Sequence, residues 1–189
     1  MDSTSQSARI VVLAGPSGVG KGTVVKQLKE WYPDLAVSVS ATTRDPRPGE
    51  IDGVDYHFVT DEEFDRLIAS DGLAEWALVH GLNRYGTPQA PLDAELARGR
   101  SVLVEIDLAG ARQIRHSRPD AYLVFLAPPS MEELIARLSG RGTETFEEQQ
   151  RRLATAREEM AARSEFDTTI VNTTVTHAAR ELAAILGLD

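Results

Sequence analysis

Gly15-Pro16-Ser17-Gly18-Val19-Gly20-Lys21-Gly22-Thr23 follows directly on Arg9 to Ala14, which reads RIVVLA. The leading run is short, apolar and rich in β-branched residues, the pattern of a central strand buried on both faces. The glycine-rich stretch satisfies GxxxxGK and gives way to a helical pattern from Thr23 to Trp31. Strand, glycine loop and helix in that order form the setting a P-loop requires. Glycines allow a turn tight enough for consecutive N–H groups to point inward. The following helix presents its positive end, and Lys21 can reach outer phosphates. Such a cradle fits a polyphosphate far better than a single carboxylate. A nucleoside triphosphate is the expected ligand, bound by Gly15, Pro16, Ser17, Gly18, Val19, Gly20, Lys21, Gly22 and Thr23. Gly22 stands where a Ser or Thr usually follows the lysine, so Thr23 is the nearest hydroxyl for a magnesium shell. The competing reading is an idle strand-to-helix turn, and GxxxxGK in this context is rarely idle.

Outward from this point, strand-like runs recur at Ala36 to Val39, Ser101 to Ile106, Ala121 to Leu126 and Thr169 to Val171, with helical patterns between most of them. Parallel β/α winding is the natural reading. Thr60 with Glu63, Ser130 with Glu133, and Thr145 with Glu148 each have capping-box spacing. Further helices are expected over Pro88 to Arg98, Ala109 to Arg115 and Thr176 to Leu186. Ser40 to about Pro91 breaks the alternation, being turn-rich at RDPRPGEIDG and then mixing short strands with one helix. It reads as a lobe inserted into the sheet domain. Ser139 to Thr145, SGRGTET, has the glycines of a mobile connection around Arg141 and could close like a lid. The expected fold class is therefore α/β, a three-layer P-loop NTPase fold with a central, mainly parallel sheet. Its core is residues 8–39, 92–138 and 160–189, its lobe 40–91 and its lid 139–159, in one domain.

With 189 residues the chain suits one folding unit. Acidic residues outnumber Lys plus Arg by 29 to 20, a net charge of −9. That balance is poor for lying along a polyanionic backbone, so no nucleic-acid partner is expected. No apolar run approaches the roughly 20 residues of a membrane span, and Met1 to Ser7 has no secretory pattern. The absence of cysteine fits a reducing cytoplasm. A soluble, cytoplasmic protein with no membrane partner is the expectation.

The triphosphate cradle leaves the phosphoryl acceptor open. Ser38 to Phe58, SVSATTRDPRPGEIDGVDYHF, sets Arg44 and Arg47 three residues apart among turns. Both can offer planar, multidentate donors to a phosphate, and Tyr56 can add a hydroxyl. This segment, together with the P-loop, closely resembles the guanylate kinases. The resemblance continues through Glu75-Trp76-Ala77, Tyr85-Gly86-Thr87, Glu105-Ile106-Asp107, Gly140-Arg141-Gly142-Thr143-Glu144-Thr145 and Ile170-Val171-Asn172, and so spans about Arg9 to Asn172.

What the resemblance implies is ATP:GMP phosphotransfer with magnesium, ATP and GMP as the partners and dGMP left open. Ser40, Glu75, Thr87 and Asp107 would surround guanine, and Arg44, Arg47, Tyr56 and Tyr85 would hold the GMP phosphate. Glu50 matches a position in the same lobe. Arg137, Arg141 and Arg152 match arginines of the lid and its following helix, and with Lys21 and Arg44 form the expected catalytic set. Asn172 matches a position beside adenine. Independently, the N1–H and N2 amino donors of guanine suit a carboxylate such as Glu75 or Asp107, toward which adenine would turn a bare lone pair. One departure is visible: Gly81-Leu82-Asn83-Arg84-Tyr85-Gly86-Thr87 is one residue longer than the usual string, with Arg84 in place of a tyrosine. Glu105 reads equally as part of a metal or water shell and as a structural hydrogen-bonding group.

Rival readings are a non-catalytic guanylate kinase-like module that binds phosphorylated partners, and a sugar-phosphate kinase on the same scaffold. The intact cradle speaks against the first, and Glu75 and Asp107 against the second. His57, His80, His116 and His177 lack metal-ligand spacing. Trp31 and Trp76 read as packing residues. The charged run Glu147 to Arg163 reads mostly as a solvated helix face, with Arg152 excepted.

Overall fold

The computed structural model describes residues 7–79, 81–139 and 146–188, with the side chains of 139 and 146–152 outside that description. Five strands form the main sheet: β1 (Ile10–Ala14), β2 (Ala36–Val37), β7 (Val102–Glu105), β8 (Tyr122–Ala127) and β9 (Thr168–Val171). Their order is β2-β7-β1-β8-β9, and every neighbouring pair is parallel. β1 lies at the centre and all five of its residues are fully buried.

Alternation along β1 builds two cores. Val11 and Leu13 point into a cluster with Val24 and Leu28 of α1 (Lys21–Trp31) and Leu182 of α7 (Val175–Leu186). Ile10 and Val12 point the other way, onto Leu92 of α3 (Gln89–Ala97) and Ile114 of α4 (Leu108–Ser117). Helices therefore cover both faces, as an all-parallel sheet requires. Two further helices, α5 (Met131–Ser139) and α6 (Phe146–Ala161), pack through Leu134, Leu138 and Ala156.

The inserted lobe is a separate mixed sheet, in the order β4-β3-β6-β5. It comprises β3 (Ala41–Thr42), β4 (His57–Phe58), β5 (Leu73–Val79) and β6 (Asn83–Pro88), with α2 (Asp61–Ala69) against it. Thr60 and Glu63 cap α2 reciprocally, as their spacing predicts. At Ser130 and Glu133 the hydroxyl accepts from the Glu133 amide at 3.2 Å, while the Glu133 carboxylate pairs with Arg137. The Thr145–Glu148 box lies outside the described residues.

The lobe has its own small core of Ala41, Phe64 and Leu73. Replacing fully buried Phe64 by Ala should cost about 3–5 kcal/mol, because so small a core cannot collapse to fill the void. Urea unfolding measures it, with the parallel sheet predicted to outlast the lobe.

Arg84 explains the sequence departure. Its guanidinium stacks 4.8 Å over the Phe64 ring and pairs with Asp61 at 2.6 Å and Asp65 at 2.5 Å, tying the β5–β6 hairpin to α2. Side chains alternate across a strand, so Tyr85 and Thr87 share the opposite face of β6. The packing assigned to Trp31 and Trp76 is only partial, at 37% and 38% exposure. Trp31 is the last residue of α1, and Trp76, mid-way along β5, meets Phe64 edge-on at 6.2 Å.

Candidate active site

The cradle is built by backbone. β1 ends at Ala14, the loop turns through Gly15, Gly18 and Gly20 with positive φ, and α1 begins at Lys21. Unlike α2, α1 has no side-chain cap: its N-cap is Gly20, and no acidic residue stands in its first turn. The amides there remain available to an anion, and the helix dipole favours one. Lys21 Nζ donates to the carbonyls of Gly15 at 2.7 Å and Pro16 at 3.4 Å, which holds the ammonium across the loop. Burial lowers the Lys21 pKa, and the carboxylates of Glu105, Glu159 and Asp107 push it back up.

Beside the cradle lies a cavity of about 360 Å³, lined by Gly18, Gly20, Thr23, Arg137, Asn172 and Thr173–Val175. Asn172, buried at the end of β9, donates from Nδ2 to the Val19 carbonyl at 2.8 Å, and its Oδ1 is buried without a partner. Arg137 donates to the same carbonyl at 3.2 Å. Gly20 has φ +101°, and a Cβ there would stand 2.8 Å from Asn172 Nδ2. Gly20→Ala should therefore weaken triphosphate binding by about tenfold or more, through strain and displacement of Asn172. Calorimetric titration with ATP measures it.

A second set of polar side chains gathers between lobe and sheet. Glu75, in β5, accepts from the Thr87 hydroxyl at 2.6 Å. Burial raises its pKa; bonds from Thr87 lower it, and the nearby Asp107 charge adds to the rise. Asp107 follows β7 and caps α4, accepting from the Gly110 amide at 2.8 Å. A Cβ built on Gly110 would stand 3.1 Å from Glu75 Oε2 and 3.4 Å from Asp107 Oδ1, so both carboxylates crowd one bare backbone position.

Arg44 donates to Tyr85 Oη at 3.3 Å and to Glu50 Oε1 at 2.9 Å, and stacks 5.4 Å over the Tyr56 ring. The Glu50 bond raises the Arg44 pKa, and the same bond together with the Arg47 amide, at 2.7 Å, lowers that of Glu50. Both Glu50 oxygens are thus committed within the lobe. The Arg47 side chain is exposed, and Ser40 stands where the chain leaves the sheet for the lobe, its carbonyl accepting from His57.

The glycine loop after β1 and Asp107 after β7 both stand at the C-terminal ends of the parallel strands, where ligands of such sheets gather. Glu105 ends β7 within electrostatic reach of Lys21, and Asp107, two residues on, reaches Glu75. Burial raises the Glu105 pKa, and Lys21 opposes the rise. Glu105 Oε1 lies 3.7 Å from the Cβ position of Gly22.

Residues 7–188 match the model of the guanylate kinase family. The chain belongs to the guanylate kinase family. It is 61% identical to the guanylate kinase of Thermobifida fusca over 181 residues, 96% of this chain and 92% of that one. Against the guanylate kinase of Leifsonia xyli it is 60% identical over 177 residues, covering 94% and 70% of the two chains. The crystal structure of guanylate kinase from Anaplasma phagocytophilum superposes with a TM-score of 0.72 at 36% identity, covering 96% of this chain and 85% of that one.

Within this guanylate kinase family member, two expected site residues cannot be followed: Arg141 lies outside the described residues, and Arg152 lies within α6 with its side chain outside them. One residue of the charged run departs from the solvated-face reading. Glu159, near the end of α6, accepts from the Ser17 amide of the cradle at 3.2 Å, and burial raises its pKa. No local motif marks it, because Ser17 reaches it from 142 positions away. Among the described residues no group of three or more His, Cys, Asp or Glu could hold a metal ion, and no helix is long and apolar enough to cross a membrane.

Proposed function

We propose that this chain transfers the γ-phosphoryl group of ATP to GMP, giving ADP and GDP. The observation that carries the reading is the row of mutually interacting charged groups Lys21, Glu105, Asp107 and Glu75, with Arg44 held in the lobe by Tyr85 and Glu50. The cradle takes the ATP phosphates and the Asn172 cavity its adenosine end. Glu75 and Asp107 accept from the guanine edge, flanked by Ser40 and Thr87. Arg44, Arg47, Tyr56 and Tyr85 grip the GMP phosphate, with Glu50 aiming Arg44.

Both substrates are anionic, so positioning and electrostatic stabilisation do most of the work. The acceptor is already a phosphate oxygen, so no side-chain base is needed. Lys21 neutralises charge on the migrating phosphoryl group, Arg137 stands on the ATP side, and Arg141 and Arg152 add positive charge around the transferred group. The oxygen donors beside the cradle, the Thr23 hydroxyl and the Glu105 carboxylate, are hard ligands that suit magnesium, an ion that takes few protein ligands and keeps its phosphates and waters. Thr23 and Glu105 would hold it, and bound there with the triphosphate it supplies charge neutralisation. A cytoplasmic location belongs to the same reading.

The phosphopeptide-module alternative leaves the uncapped α1 terminus and Lys21 without purpose, and a sugar phosphate lacks the planar N1–H and 2-amino edge that suits the Glu75–Asp107 pair. Turnover with ATP and magnesium against GMP, AMP, CMP, UMP and phosphorylated ribose tests the assignment. GMP should exceed every other acceptor by orders of magnitude. Preference for another acceptor overturns the base pocket.

A further inference from the structure

β5 is an edge strand of the lobe sheet, paired with β6 on one side only. In register, Glu75 faces Thr87 and Trp76 faces Gly86. An edge strand presents a row of unpaired backbone groups that some other element must satisfy. Here α4 of the sheet domain does so with side chains. Gln113 Oε1 accepts from the Trp76 amide at 3.1 Å, and Gln113 Nε2 donates to the Trp76 carbonyl at 3.0 Å. Ser117 Oγ donates to the Ala74 carbonyl at 2.6 Å. The residues on both sides of Glu75 are thereby fastened to α4, while Glu75 itself is fastened to β6 through Thr87.

Gly110, Gln113 and Ser117 stand at i, i+3 and i+7, one stripe of the helix. The same stripe thus carries the bare position beneath the Glu75 carboxylate and both fasteners of its strand, and the N-cap of the helix is Asp107. A hollow of about 450 Å³ runs along this seam, lined by Glu75, Trp76, Gln113 and Ser117 among others, and next to it Ala74 alone of the strand's small side chains joins Ala111 and Ile114 of α4 in the buried core. Directional hydrogen bonds add the register that this small, non-directional apolar contact leaves loose.

We infer that Gln113, seconded by Ser117, is a positioning residue for guanine recognition, locking β5 to α4 so that the Glu75 and Asp107 carboxylates keep a fixed separation. The inference rests on the proposed guanine pocket. It joins a lobe residue to a sheet-domain residue in one rigid base reader, although they are 32 positions apart in sequence (107 minus 75).

The test compares Gln113→Ala, Gln113→Glu and Ser117→Ala with the parent chain, using GMP and inosine monophosphate, which lacks the 2-amino group, as acceptors. Gln113→Glu keeps the acceptor for the Trp76 amide and the side-chain volume but sets an oxygen against the Trp76 carbonyl. Both Gln113 variants should raise KM for GMP about tenfold, with kcat at saturation within about twofold and KM for ATP unchanged, because a misplaced contact outside the reacting centre acts on binding. Preference for GMP over inosine monophosphate should fall by about the same factor, and Ser117→Ala should give a smaller shift in the same direction. If Gln113→Ala does not fold, the other two variants decide.

An unchanged acceptor preference in the folded variants, or equal losses toward ATP and GMP, overturns the positioning role. Glu75→Gln measured alongside separates the two layers. If it leaves acceptor preference intact, the guanine pocket itself is wrong; if it abolishes preference while the Gln113 variants keep it, only the positioning role fails.

Discussion

Lys21→Ala should lower kcat with ATP and GMP by about 10³-fold or more while leaving the fold intact. Lys21 sits at the first residue of α1 and holds its ammonium over the cradle through the Gly15 and Pro16 carbonyls. Preorganised positive charge at a transferring phosphoryl group contributes about 10²- to 10⁵-fold in rate, far more than two bonds to loop carbonyls contribute to stability. The Ala variant leaves Glu105 and Glu159 facing the phosphates without their counter-charge, which deepens the loss. Stopped-flow turnover and a melting curve on the same preparation check both halves. Retention of more than a tenth of kcat would remove Lys21 from the catalytic set.

Glu75→Gln should reduce kcat/KM for GMP by about 10²- to 10³-fold, since an amide turned toward N1–H and the 2-amino group opposes donor with donor. The same change should raise the melting temperature at neutral pH. The Glu75 pKa is raised in the folded chain, chiefly by burial. A carboxyl with a raised folded pKa favours folding when protonated. That advantage is whole below the unfolded pKa and is lost as pH rises through the folded one, so at neutral pH the ionised group opposes folding. A neutral isostere removes that cost. Activity runs the opposite way, because the ionised form accepts from guanine. The acid limb of kcat/KM for GMP should therefore begin above the ordinary glutamate range and change shape in Glu75→Gln. Glu105 and Glu159 have raised pKa values as well, so the difference between parent and variant profiles isolates Glu75. A variant neither more stable nor less selective would contradict both halves.

The Thr60–Glu63 cap, the parallel strands and the existence of a separate lobe were legible because each depends on local pattern: apolar runs, cap spacing and turn residues. The family motifs carried the expected site residues for the same reason. Arg84 was visible as a departure but not interpretable, since Asp61, Asp65 and Phe64 reach it from another element. Gln113 carries no motif signal either, because what it holds is backbone, and any residue at Trp76 would offer the same two groups.

The sequence alone marked out the proposed triphosphate cradle, because its chemistry rests on backbone amides of one consecutive stretch, and glycine spacing is enough to bend them. Tertiary structure decided the rest of the site. Glu159 meets Ser17 across 142 positions, and Glu75 of β5, Thr87 of β6, and Asp107 and Gly110 at the start of α4 converge from three different elements. Contacts between distant segments depend on how the helices and both sheets pack, a long-range outcome that local residue pattern does not encode.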